Sequence, residues 1–168
     1  MSRMNAKFIR RRYVNKEDLI TTHAFYGYGF KFGYGGEHGA ENHRYIDGRV
    51  NSNLTIAQLS YIHENGSPAQ GIPPRPFISQ ALDATNALDV IVKAAKRKNA
   101  TPQSLENKAK QLAVQCRQWI KAGNVRPPLS AERIEQKRKV KRYAKNAEKP
   151  LVFTKQLVNA FEGWMYKK

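Results

Sequence analysis

Apolar residues recur along this chain with two different periods, and the switch between them marks out its elements. Phe77, Ala81, Ala84, Leu88, Ile91 and Ala95 stand three or four apart and predict one helix from Phe77 to about Lys98. Lys93, Lys96, Arg97 and Lys98 fall in its last turns, where cations complement the helix dipole, and Asn99 closes it. The cleanest stripe follows: Leu105, Ala109, Leu112, Ala113, Cys116, Trp119 and Ile120 predict a core-facing helix over 102–121, ended by Gly123 and Asn124. Upstream the period drops to two. Ala24, Tyr26, Tyr28, Phe30, Phe32 and Tyr34 alternate with Phe25, Gly27, Gly29, Lys31 and Gly33, which predicts a strand with one aromatic face and one glycine face. A face without side chains lets something approach closely, or marks a bulge. Residues 35–40 read as a turn and 44–50 as the returning strand, with Asp47-Gly48 as a tight-turn signal inside it.

Three further helices are predicted. The first runs from Leu54 to His63 with Asn53 as its cap. The second, 131–147, is capped by Ser130, is mostly charged, and offers only Ile134, Val140, Tyr143 and Ala144 for burial. The third is short, starts at Thr154, and buries Leu157, Val158 and Phe161 before Gly163 releases Trp164-Met165-Tyr166. The expected fold is α+β: a small antiparallel sheet, made from the Tyr/Gly hairpin and the C-terminal segment, packed on two or three helices. Residues 1–17 read as a basic arm, and 18–168 as a single domain.

Charge adds a partner question. The formal net charge is +17, and it is uneven: residues 1–16 hold six Lys/Arg and no acid, residues 93–149 hold seventeen Lys/Arg against four Glu, and residues 17–92 are net acidic by four. Such a surplus suits nucleic acid or acidic proteins. Arg10, Arg11, Arg12, Lys137, Arg138, Lys139, Lys141 and Arg142 are the candidate electrostatic contacts; spread around a helix, the last five suit phosphates better than base edges. The lone cysteine, Cys116, sits on the apolar stripe and is expected to be a buried small hydrophobe, so no disulfide framework exists and synthesis in a reducing cytosol is expected. No apolar run approaches the roughly 20 residues that span a bilayer.

One stretch stands apart. Tyr61-Ile62-His63-Glu64-Asn65-Gly66 closes a helix, and Gly71-Ile72-Pro73-Pro74-Arg75-Pro76-Phe77 opens the next. Prolines 73, 74 and 76 fix φ near −65° and push the residues before them out of helical geometry, so Ile72 to Arg75 should form a nearly pre-ordered extended strap. Binding through it would cost little ordering entropy. Ile72, Pro73, Pro74, Arg75, Pro76 and Phe77 are therefore the candidate partner-binding residues, with Arg75 free to fork to a carboxylate. If Arg75 faces outward, its loss costs under about 1 kcal/mol.

These residues resemble the HEfG…IPxRPF signature of the tail-completion and neck proteins of tailed bacteriophages. A second stretch, Lys149-Pro150-Leu151-Val152-Phe153-Thr154-Lys155-Gln156-Leu157-Val158-Asn159-Ala160-Phe161, is similar to the family's kPLidTGqLrnSi element, which precedes its last strand. Four positions depart: Asn65 stands for an aromatic residue, Phe153 for Asp, Lys155 for Gly and Ala160 for Ser. The resemblance implies a structural virion protein, made in the host cytoplasm and placed at the neck. It would form a homo-oligomeric ring, a hexamer or dodecamer, joining head-side connector or portal-adaptor proteins to the tail terminator or tail tube. It implies no cofactor, no metal, no membrane and no catalysis, with non-specific contact to packaged DNA. Charge alone suggests the alternative, a basic protein that binds nucleic acid without sequence preference.

Other chemistry is poorly supported by the residues. His63 and Glu64 are adjacent, so on a helix they point about 100° apart, and no Ser or Cys nucleophile is spaced to use them. His23, His38 and His43, with Glu37 and Glu41, fit no zinc spacing. Gly27, Gly29 and Gly33 alternate within a strand and make no phosphate loop.

Overall fold

The computed structural model describes residues 28–35, 37–45, 49–141, 144–151 and 155–167. In chain order these form β1 (Tyr28–Gly33), α1 (Glu37–Ala40), β2 (Asn42–Arg44), β3 (Val50–Thr55) and α2 (Ile56–Asn65). A 3-10 turn (Pro68–Gln70) precedes α3 (Phe77–Ala84), α4 (Ala87–Ala95), α5 (Pro102–Ala122) and α6 (Ala131–Arg138). A second 3-10 turn (Ala144–Asn146), α7 (Gln156–Asn159) and β4 (Glu162–Lys167) complete the chain. The α+β expectation holds. The arm over 1–17, with Arg10, Arg11 and Arg12, lies outside the described residues, as do Arg142 and Thr154.

Helix α5 forms where the sequence predicts it. Thr101 and Ser104 cap its start reciprocally, Pro102 occupies its first turn, and Gly123 ends it at φ 91°. Its buried side, Leu105, Ala109, Leu112, Ala113, Cys116 and Ile120, is the spine of the core. Helices α3 and α4 pack against it, and so does β4. Gly163 makes the second contact feasible, because a Cβ there would stand 2.6 Å from the Ala109 carbonyl oxygen.

The sheet differs from expectation. Strand β1 pairs antiparallel with β4, Phe30 opposite Met165 and Phe32 opposite Gly163, not with the segment after the glycine turn. That segment folds on itself: β2 pairs with β3, with Arg44 opposite Val50, and the Asp47-Gly48 signal falls between them, outside the described residues. The glycine face explains the choice. A Cβ on Gly29 would stand 2.6 Å from the Tyr166 ring, and one on Gly35 would collide with Trp164. The bare face of β1 is therefore covered by aromatic rings of β4, with the Lys31 ammonium 4.4 Å above the Tyr166 ring centre.

Three helices also depart. The cap of α2 is Thr55, not Asn53: its hydroxyl accepts from the Gln58 amide while the Gln58 side chain accepts from Thr55. The helix expected over 77–98 is two, broken where Asn86 turns left-handed at φ 48° and the Thr85 hydroxyl donates to the Ala81 carbonyl at 2.8 Å. The charged helix capped by Ser130 ends at Arg138, well short of 147. The Lys137 side chain turns inward and draws the following chain back over it, as described below.

Candidate functional site

The signature around 63–77 is a self-supporting unit. Helix α3 begins at Phe77 behind Pro76, which supplies no side-chain cap. Glu64, at the end of α2, supplies one from a distance. Its carboxylate accepts from the Ile78 amide at 2.9 Å, the Ser79 amide at 3.3 Å and the Ser79 hydroxyl at 3.0 Å. A carboxylate at this helix end satisfies orphan donors and meets the positive end of the dipole. Burial raises the Glu64 pKa, and these hydrogen bonds act against the rise. Between the two helices Gly66 lies at φ 77°, where a Cβ would stand 2.7 Å from the Pro74 nitrogen and 2.8 Å from the Ile72 oxygen. The strap thus crosses directly over Gly66, and no other residue type fits there. The strap's end is fixed by the Arg75 amide, which donates to the His63 carbonyl at 2.7 Å.

Arg75 corrects an expectation. It is only 8% exposed, and among the described residues it meets no carboxylate. Its Nε donates to the Pro127 carbonyl at 3.1 Å and its Nη2 to the Pro128 carbonyl at 3.4 Å. Gln80 clamps the same loop, its amide donating to the Arg126 carbonyl and accepting from the Arg126 amide, both at 2.8 Å. The guanidinium turns inward because these carbonyls face it while prolines hold its backbone. Phe77 is fully buried, as a core residue, and so presents nothing outward. Of the candidate strap residues, Pro73 and Pro74 are exposed, Ile72 and Pro76 half-buried.

The result is a rigid rim. Pro73, Pro74, Pro127 and Pro128 are all exposed, and Arg75 ties the two proline pairs together. Beside it lies a groove of about 390 Å³, lined in part by Val125, Arg126, Pro128, Ile134, Lys149 and Pro150. Pro127-Pro128 and Gln80 are the site residues that sequence reading missed; the proline pair was legible as a stiff turn, but nothing local shows that Arg75 reaches it. His63 sits beneath the rim with its Nδ1 buried and unpartnered among the described residues. Burial, then the charge of Arg75, with smaller contributions from His43 and Arg133, pushes its pKa down to about 4. It is neutral at pH 7, and Glu64 is committed to α3, so the two do not form a base with its orienting carboxylate.

The second stretch of the resemblance closes on the same core. Pro150, Leu157, Val158 and Phe161 are buried, and the Lys149 ammonium donates to the Lys121 carbonyl at 3.2 Å, beside the cap of α5. Tyr34 joins the two stretches: its ring meets Phe77 edge-on at 6.3 Å and Phe161 at 5.8 Å. Lys155, which stands where the family has glycine, adopts φ 62°.

The basic segment after 133 is not the open cationic face expected of it. Lys137 is 5% exposed, and its ammonium donates to the Asn146 carbonyl at 3.2 Å and the Lys149 carbonyl at 2.7 Å. Burial, with Arg133 nearby, pushes its pKa down to about 8. Arg138 is bracketed by Glu135 at 2.6 Å and Glu148 at 2.9 Å. Lys139 and Lys141 are exposed. Among the described residues no cluster of His, Cys, Asp and Glu is placed to hold a metal, and no helix is long and apolar enough to cross a membrane. No known protein family, curated protein or solved structure matches the chain.

Proposed function

We propose that this chain is a structural virion protein: a ring-forming neck or tail-completion subunit, hexameric or dodecameric, that joins a head-side connector to a tail terminator or tube. One observation carries the reading. The two stretches that bear the resemblance, 63–77 and 149–161, are far apart in sequence yet meet across Tyr34 in one core, so they belong to one folded unit. The left-handed backbone of Lys155, at the family's glycine position, is a second support. In this reading the docking face is the proline rim with its groove, pre-ordered so that little entropy is lost on contact with a neighbouring subunit. The mechanism is adaptor binding, without catalysis or cofactor.

The test replaces Pro73 and Pro74 by Gly in a virus carrying this gene. The fold should persist, since both side chains are exposed, while unjoined heads and tails accumulate. Wild-type joining by that variant would overturn the rim's role.

A further inference from the structure

Lys137 and Arg138, two of the candidate electrostatic contacts, are engaged within the fold, and this leaves the question of where exposed positive charge gathers. Among the described residues it gathers at the corner between α4 and α5. Lys93, Lys96, Arg97 and Lys98 are all exposed there, and no carboxylate among the described residues forms an ion pair with them. From residue 90 to residue 105 the sequence has no Asp or Glu. A notch of about 140 Å³ opens in this corner, lined by Ala94, Arg97, Ala100 and Lys108, whose ammonium donates to the exposed Gln111 side chain at 2.8 Å. Asn99 and Ser104 complete the lining. The start of α5 adds little, because Thr101 and Ser104 satisfy each other's amides and Pro102 has none. The side-chain cations carry the case.

The composition decides what fits. Protein interfaces are depleted in Lys and centred on aromatic and other large apolar side chains. This corner has none: the large exposed hydrophobic residues, Tyr45, Val50, Tyr61 and Val114, lie elsewhere. Lys and Arg among small polar residues are instead what phosphate contacts use. We infer that the α4–α5 corner is a nucleic-acid backbone contact, with Arg97 and Lys108 straddling one phosphate in the notch and Lys93, Lys96 and Lys98 reaching its neighbours. The contact carries no sequence preference. It goes beyond the adaptor reading and does not depend on it, since the free chain should show it.

The experiment is fluorescence anisotropy of a labelled duplex of arbitrary sequence, titrated with the full chain across a salt series. Replacing Lys93, Lys96, Arg97 and Lys98 together by Gln should make the slope of log K against log salt shallower by about 3 units, roughly 0.9 for each phosphate no longer neutralised. At 0.1 M salt the affinity should fall at least about tenfold. The pair Lys139→Gln with Lys141→Gln should change the slope by less than about 1 unit. A third variant, Lys93→Arg with Lys96→Arg and Lys98→Arg, keeps the charge and should keep the slope, which separates charge loss from misfolding. An unchanged slope in the four-site variant overturns the inference, and so does an equal loss in the Lys139/Lys141 variant. Binding to poly-glutamate in place of the duplex would assign the corner to an acidic protein and also overturn it. None of these outcomes bears on whether the chain joins heads to tails.

Discussion

Replacing Arg75 by Met keeps most of the side-chain stem and removes only the guanidinium, so it isolates the clamp on the 125–128 loop. Two hydrogen bonds disappear, one of good length at 3.1 Å and one long at 3.4 Å. A bond to a charged group contributes about 1.5–3 kcal/mol net, and a long one less. The Pro127 and Pro128 residues are exposed, so water takes up part of the loss. We expect a cost of about 2 kcal/mol, against about 0.5 kcal/mol or less for a surface arginine. For a chain of this size that lowers Tm by roughly 4–8 °C. A second readout follows from His63. Arg75 is the second cause of its depression to about 4, so in the variant His63 should titrate higher, yet still below its ordinary 6.5 because burial remains. Urea melts give the first number and NMR titration of the His63 ring the second. Stability within about 0.5 kcal/mol of wild type together with an unmoved His63 titration would refute the clamp.

Three further outcomes are expected. Glu64→Ala should cost about 1–2 kcal/mol by uncapping α3, read by thermal melts, and Glu64→Gln less, because one acceptor oxygen remains. His63 gives a pH dependence whose sign follows from its depressed pKa: between 6.5 and about 4 the unfolded chain binds the proton that the fold excludes, so stability falls as pH falls through that window. The loss should approach about 3 kcal/mol below pH 4 and should flatten in His63→Gln, while Glu64, with its raised pKa, works in the opposite direction. Lys155→Gly should stabilise by about 0.5–1 kcal/mol in urea melts, since relief of the left-handed strain outweighs the added freedom of the unfolded chain.

What was legible in the sequence was local. Helix α5 could be placed almost to the residue because its stripe, its Pro and its Gly all act within a few residues. The strap was legible because proline fixes its own backbone and its neighbour's. What escaped was carried by contacts distant in sequence. Nothing near Phe77 announces that Glu64 caps its helix, and nothing near Gly29 announces that Tyr166 will cover it. Lys137 reads as one more surface cation until the chain is seen to fold back over it and offer two carbonyls. Arg75 is the most instructive case, because its proline neighbours suggest presentation to a partner whereas its side chain completes its own fold. The break at Thr85 and Asn86 was masked by an apolar period that runs through it, since α3 and α4 both face α5.

Where the chain sits in a particle is what decides the proposed function, and cryo-electron microscopy of tailed particles from a virus carrying this gene shows it. Density for the 28–167 fold should appear in a closed ring of six or twelve copies between head and tail, with the Pro73-Pro74 and Pro127-Pro128 rim against a neighbouring subunit. Particles that contain no copy of the chain at the head–tail junction would contradict it.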